Sequence, residues 1–290
     1  MSLLRARRPK PGSLFATVLA GAVAGMAPAP VVSAEPKPAR IVSLNLCTDE
    51  LVLRLADPGR IASVTWLSRD PRNANMAEAA RAVGVNHGLV EQVLAAKPDL
   101  VIAGAYTTRS TVALLKRVGM PVREFGVPLS IAEMRRQIAE MAALLGEEER
   151  GATLIAGIDA RLAALAARQA VVHPRAIVLR PNGFTVGRGS LVDEILTLAG
   201  LDNIAASLGI ESYGQIPLEA VALSGAQMLI LNDAPYGPPS LAHEVLRHPL
   251  IGKLGGRLQL VALPSRLWTC AGPSVLDAIE LLVRATEEPR

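Results

Sequence analysis

Cys47 and Cys270 are the only cysteines in a chain that otherwise offers little nucleophilic chemistry. Cys47 follows the apolar run Ile41-Val42-Ser43-Leu44 and precedes Thr48-Asp49-Glu50, at an expected turn between a strand and a helix. A thiol there has four uses: nucleophile, metal ligand, half of a disulfide, or packing. A nucleophile needs a base. The four histidines, His87, His173, His243 and His248, fall on expected helix edges and turns, none beside Cys47. Such partners meet in space, so spacing alone leaves a cysteine-dependent hydrolase open. No GxSxG, HExxH, Walker loop or GxGxxG follows a strand. A metal cage of histidines and carboxylates is also unsupported, because no histidine falls on an expected strand-end loop. His87, between Asn86 and Gly88, reads as a surface turn residue.

The residues suited to binding are more numerous, and their positions follow from the elements around them. Short apolar runs at Ile41–Leu44, Ile61–Val64, Leu100–Ala103, Val122–Phe125, Ala176–Leu179, Met228–Leu231 and Leu258–Leu263 read as buried strands. They lack polar alternation, as strands covered by helices on both faces do. Helical spacing lies between them, at Met76–Val83, Leu89–Ala96, Thr111–Val118, Leu191–Leu198, Leu218–Leu223 and Val275–Val283. Such alternation predicts doubly wound parallel sheets. Residues 130–172 contain no strand signal. Ile138, Met141, Leu144, Leu145, Leu154, Ile158, Leu162 and Leu165 keep a helical period there, broken at Gly146 and followed by a long helix from Glu147 to about Gln169.

The expected fold is therefore α/β: two doubly wound lobes, residues 35–129 and 173–290, joined through a helical connector, residues 130–172. The lobes also share local sequence. Val90-Glu91-Gln92-Val93 before Leu100-Val101-Ile102 corresponds to Leu218-Glu219-Ala220-Val221 before Met228-Leu229-Ile230, at a constant offset of 128 residues. Asp49-Glu50-Leu51-Val52 likewise corresponds to Asp193-Glu194-Ile195-Leu196.

Ligands of open α/β sheets bind beyond the carboxyl ends of the strands. Asn45, Cys47 and Thr48 follow the first strand, Trp66 and Arg69 the second, and Tyr106 and Arg109 the third. Arg180, then Asn232 with Tyr236, then Arg266, Trp268 and Cys270 hold the corresponding places in the second lobe. Both tryptophans, both cysteines and two of the three tyrosines are in this set. Aromatic rings there suit a flat, partly apolar ligand, and converging arginines suit carboxylate or other anionic groups.

Residues 1–34 have the form of a secretory signal peptide. Arg5, Arg7, Arg8 and Lys10 precede the apolar stretch Leu14–Ala27, and Val32-Ser33-Ala34 supplies the small residues of a cleavage site after Ala34. The whole chain has 30 Lys and Arg against 26 Asp and Glu, and four of the cations lie in this segment. The remainder is balanced, which removes any chain-wide basic footprint for nucleic acid. Two cysteines in an oxidising compartment allow one disulfide and no more.

The pattern resembles the periplasmic substrate-binding proteins of ABC importers for ferric siderophores and vitamin B12. The resemblance rests on Arg40-Ile41-Val42-Ser43-Leu44 with Glu50, on Glu91-Gln92-Val93 with Lys97-Pro98-Asp99-Leu100-Val101-Ile102, on Glu219 ahead of Met228-Leu229-Ile230, and on Ala271-Gly272-Pro273. It covers essentially all of the chain after residue 34. It implies a monomeric, non-enzymatic periplasmic receptor with no resident cofactor, two lobes joined by a long helix, and two partners: a small metal chelate and an inner-membrane ABC permease. It implies docking of Glu91 and Glu219 on permease arginines, although each is also a helix-start carboxylate favoured by the macrodipole. The ligand classes implied are a ferric siderophore first, given the arginines, then a corrinoid, then haem through a tyrosine. The sequence departs from the family at Leu46-Cys47 and at Cys270. With the two cysteines in opposite lobes at the cleft, the resemblance leaves a Cys47–Cys270 disulfide or two free thiols facing the chelate.

Overall fold

A computed structural model describes residues 36–168, 173–233 and 241–287. The expected signal segment, the end of the expected long helix at Gln169, and Tyr236 lie outside the described residues. The first lobe runs β1 (Ile41–Ser43), α1 (Leu46–Leu55), β2 (Ile61–Thr65), α2 (Ala77–Arg81), β3 (Val85–Asn86), α3 (Val90–Ala95), β4 (Leu100–Gly104), α4 (Arg109–Arg117) and β5 (Val122–Phe125). Two helices follow, α5 (Ile131–Leu145) and α6 (Glu148–Ala166). The second lobe runs β6 (Arg175–Leu179), β7 (Phe184–Val186), α7 (Leu191–Leu198), β8 (Asp202–Asn203), β9 (Tyr213–Gln215), α8 (Leu218–Leu223) and β10 (Met228–Asp233), then α9 (Leu241–Glu244), α10 (Pro249–Leu254), β11 (Gln259–Pro264) and α11 (Val275–Glu287).

Each lobe is built on a parallel sheet. The first has the order β3-β2-β1-β4-β5 and the second β11-β10-β6-β8, with β7 and β9 forming a separate antiparallel pair. Side chains alternate across the first sheet as period-two geometry requires. Ile41 and Ile102 enter one core, while Val42, Leu44, Val101 and Ala103 enter another. The Ile41 core continues past Met134, Ile138, Leu145 and Ile158 of the two connecting helices into Val275, Ile279 and Leu282 of α11. One apolar layer therefore runs behind both sheets and ties the lobes together. The helix break falls at Gly146, whose φ of 66° is the left-handed cap conformation that suits glycine. Among the described residues, no helix is long and apolar enough to cross a membrane.

The seven expected strands stand within two residues of their expected bounds. Four strands were not expected: β3, β7, β8 and β9 have only two or three residues, several polar, and give no apolar run. The first helix also begins earlier than expected. Asn45 is its N-cap, with its side-chain oxygen accepting from Cys47 N–H at 2.9 Å and Thr48 N–H at 3.4 Å. Cys47 is therefore in the first helical turn, not in a turn ahead of the helix.

Candidate functional site

The carboxyl ends of the first-lobe strands bring together several of the expected residues. Asn45 Nδ2 donates to Thr107 Oγ1 at 2.7 Å, tying the end of β1 to the loop after β4. Asn45, Cys47, Thr48 and Tyr106 line a cavity of about 140 Å³ that Thr269 and Ala271 of the second lobe complete. Tyr106 is 74% exposed at its rim. A larger depression, about 830 Å³, lies elsewhere, between α6, the end of α1 and the start of α11. Several of its charges are already paired: Lys37 and Arg150 with Glu147 inside it, and Arg161 with Asp277 and Glu280 of α11. The smaller cavity is the one at the strand ends.

Cys47 and Cys270 are bonded to each other, with Cα atoms 5.0 Å apart, inside the range a disulfide spans. A bonded Cys47 has no thiolate, so it has no nucleophile to offer and no free ligand for a metal. The bond joins the start of α1 to the loop before α11. Nearby contacts make the same junction. Asn75 Nδ2 donates to the Arg266 carbonyl at 2.7 Å, and Arg266 Nη1 donates back to Asn75 Oδ1 at 3.1 Å. The lobes also approach closely at Gly272, where a Cβ would lie 3.2 Å from Glu50 Oε1. The buried Glu50 is itself paired with Arg54 at 2.8 Å.

The four arginines separate by use. Arg69 donates to the carbonyls of Val83 at 2.7 Å and Ala80 at 3.3 Å, closing the end of α2. Arg266 is committed to Asn75, and Arg109 is exposed in the first turn of α4. Arg180 differs from all three. Its guanidinium lies 4.9 Å from the Trp268 ring centroid, and its Nε is buried without a hydrogen-bond partner among the described residues. Burial lowers its pKa from the ordinary arginine value, against a smaller opposing influence from Tyr213 on β9. Trp268 itself is 2% exposed, and its Nε1 donates to Asn232 Oδ1 at 3.0 Å. It is therefore a buried support for Arg180, whereas the sequence placed it as open contact surface. An indole N–H taken into a core needs such a partner.

Trp66, by contrast, is 52% exposed. The turn that carries it is held by a buried carboxylate. Thr65 N–H, Thr65 Oγ1 and Ser68 Oγ donate to Asp49 Oδ2 at 2.9, 2.6 and 2.7 Å, while Asp49 Oδ1 is buried and unpaired. Desolvation outweighs the opposing influence of the Ser43 hydroxyl and of these bonds, and raises the Asp49 pKa above its ordinary 3.8. The folded state then holds this proton more tightly than the unfolded chain. The stability this contributes is fully present below 3.8 and is lost as pH rises through the raised folded value. Asp49→Asn cannot ionise, so its unfolding free energy relative to wild type should be more favourable at about pH 7 than at about pH 4. Asp49→Ala strands three donors and should cost about 2 kcal/mol. Urea denaturation at the two pH values checks both, and a pH-independent Asn difference would contradict the assignment.

His87 corrects the sequence reading. It directly follows β3, so it does stand at a strand end, beside Trp66: the two rings lie 6.3 Å apart at 19°, in a stacked arrangement. It was overlooked because two-residue β3 gave no strand signal. Tyr213 was overlooked for the same reason on β9.

Glu91 and Glu219 occupy equivalent places. Each is the second residue of a six-residue helix, α3 or α8, and each is exposed. Both helices and the strands after them keep the 128-residue offset. Among the described residues, neither carboxylate has an ion pair.

Two parallel α/β lobes with a shared core behind them and a strand-end cavity between them define a bilobal solute-receptor fold. The chain belongs to the periplasmic binding protein family, whose pattern it matches over residues 41–254. It is 25% identical over 205 residues to a cobalamin-binding protein of Halobacterium salinarum, covering 69% of this chain and 55% of that protein. The chain thus spans about half the length of that curated relative. The periplasmic heme-binding protein RhuT from Roseiflexus sp. RS-1 superposes with a TM-score of 0.68 at 24% identity, over 85% of this chain and 98% of that one. A structure described as an ABC-type Fe3+-hydroxamate transport system, from Saccharomonospora viridis, gives 0.65 at 21% identity, over 87% and 94%.

Proposed function

We propose that the chain is an exported receptor that takes an anionic metal chelate, a ferric siderophore first, between its lobes and delivers it to an inner-membrane ABC importer. The observation that carries the ligand class is Arg180. Burying a guanidinium away from water without a carboxylate is costly, and a bound anion would offset that cost. Trp268 beneath it offers a cation–π contact, and Nε is left without a hydrogen-bond partner among the described residues. Tyr106, Arg109 and Trp66 would border the chelate, and Asn45 and Thr48 would form the floor. Residues 1–34 would direct export and then be removed, delivering the chain to the oxidising compartment in which a disulfide persists.

The experiment is a fluorescence titration of wild type and Arg180→Met with an anionic ferric catecholate, cationic ferrioxamine, haemin and cyanocobalamin. The ferric catecholate should bind tightest, and Arg180→Met should weaken it roughly 30-fold, the worth of a charge-assisted contact. A corrinoid is the second reading, favoured by the name of the Halobacterium relative. Tightest binding of cyanocobalamin, unaffected by Arg180→Met, would establish it in place of the first.

A further inference from the structure

The turn Asn86-His87-Gly88 is fixed far more firmly than a solvent loop requires. Asn86 Nδ2 donates to the Ser43 carbonyl at 2.9 Å and to Ser63 Oγ at 3.0 Å, and its Oδ1 accepts from Gly88 N–H at 3.1 Å. Thr111 Oγ1 donates to the Gly88 carbonyl at 2.9 Å. Gly88 has a φ of 72°, and a Cβ there would lie 3.1 Å from Thr108, so the turn is pressed against the loop that carries Tyr106. The imidazole is oriented as well. The backbone N–H of His87 donates to Gln92 Oε1 at 2.7 Å, which turns the Gln92 NH2 group toward His87 Nδ1, at 3.5 Å, the outer limit of a hydrogen bond. A ring whose Nδ1 faces a donor carries its proton on Nε2. His87 then presents an N–H to solvent beside Trp66, and no free lone pair for a metal.

We propose that His87 is a specificity-determining ligand contact that donates a hydrogen bond from Nε2 to an acceptor oxygen on the rim of the chelate, while Trp66 backs its ring. The inference rests on the receptor reading above and adds the class of group recognised: a hydrogen-bond acceptor on the ligand's periphery, as distinct from the metal at its centre. Outward donors on a rigid turn discriminate strongly, because a ligand lacking the acceptor leaves the donor unpaired when water is excluded.

His87→Phe keeps a ring against Trp66 and removes the donor. His87→Gln restores an N–H at similar reach without the imidazole. Both are titrated with the ferric catecholate, haemin and cyanocobalamin, with melting temperatures measured alongside. For whichever probe wild type binds, His87→Phe should weaken binding roughly tenfold and His87→Gln should return it to within about threefold. Equal binding by His87→Phe and wild type would overturn the inference and leave the receptor reading standing. Equal loss in both variants would also overturn it, by assigning the effect to the ring and not to the donor. A wild type that binds none of the three probes overturns the receptor reading and this inference together.

Discussion

Exchange of Glu91 and Glu219 for alanine is expected to cut chelate uptake at least about 100-fold while leaving the affinity for the chelate within about twofold. Each carboxylate opens a short helix on its own lobe, is exposed, and has no ion partner among the described residues. Equivalent placement at a 128-residue offset would give one anchor per lobe if the receptor docks on a permease as proposed. Charge pairs across a docking surface contribute on the order of 1.5 kcal/mol or more each, so losing both should multiply and either alone should cost roughly tenfold. The alternative use of these residues is local. A carboxylate in a first turn stabilises its helix by about 0.3–1 kcal/mol through the macrodipole. That role would appear as a lowered melting temperature with normal transport. Uptake in cells carrying the permease, measured beside chelate affinity, separates the two, and a normal transport rate for the double variant would sink the docking role.

The second large effect is on stability. Reducing the disulfide, or replacing Cys47 and Cys270 together by serine, should remove about 4 kcal/mol, because the bond closes a loop of 223 residues in the unfolded chain. For a chain of this size that corresponds to a fall of roughly 10 °C in melting temperature. The reduced wild type and the double serine variant should melt together, since both lose the same constraint. The position of the bond adds a functional consequence. It fastens the start of α1 to the loop before α11, beside the Asn75–Arg266 pair, and so limits how far the lobes can part. We expect the reduced protein to bind its chelate more weakly and with a slower approach to saturation. Unchanged melting on reduction would show that the sulfurs are not bonded in solution.

What was legible in the sequence follows from chain physics. Strands inside apolar runs announce themselves, so β1, β2, β4, β5, β6, β10 and β11 were placed closely, and the parallel two-lobed layout came with them. Short strands with no apolar run around them give no such signal, so β3 and β9 were invisible, and with them His87 as a strand-end residue and Tyr213 as the first residue of a strand. The arginines illustrate a different limit. Arg69 and Arg180 are indistinguishable as letters after a strand, yet one closes a helix end and the other lies over an indole with an unpaired Nε. Only packing decides which cation is spent on backbone carbonyls and which keeps a buried nitrogen without a partner among the described residues. Trp66 and Trp268 divide in the same way, one exposed at a turn and the other buried beneath Arg180. The pairing of Cys47 with Cys270 was one of the two outcomes the sequence left open, since the chain has only these two cysteines, and their approach in the fold decides for the bond.

The most direct test of the receptor reading is native mass spectrometry, with metal analysis, of the protein isolated from the periplasm of its own source under non-denaturing conditions. The account predicts one non-covalent adduct per chain, containing a metal chelate with anionic groups, released intact on denaturation. A chain that carries no chelate and takes up none from the ferric catecholate, haemin or cyanocobalamin, or one that releases a chemically altered product, would contradict it.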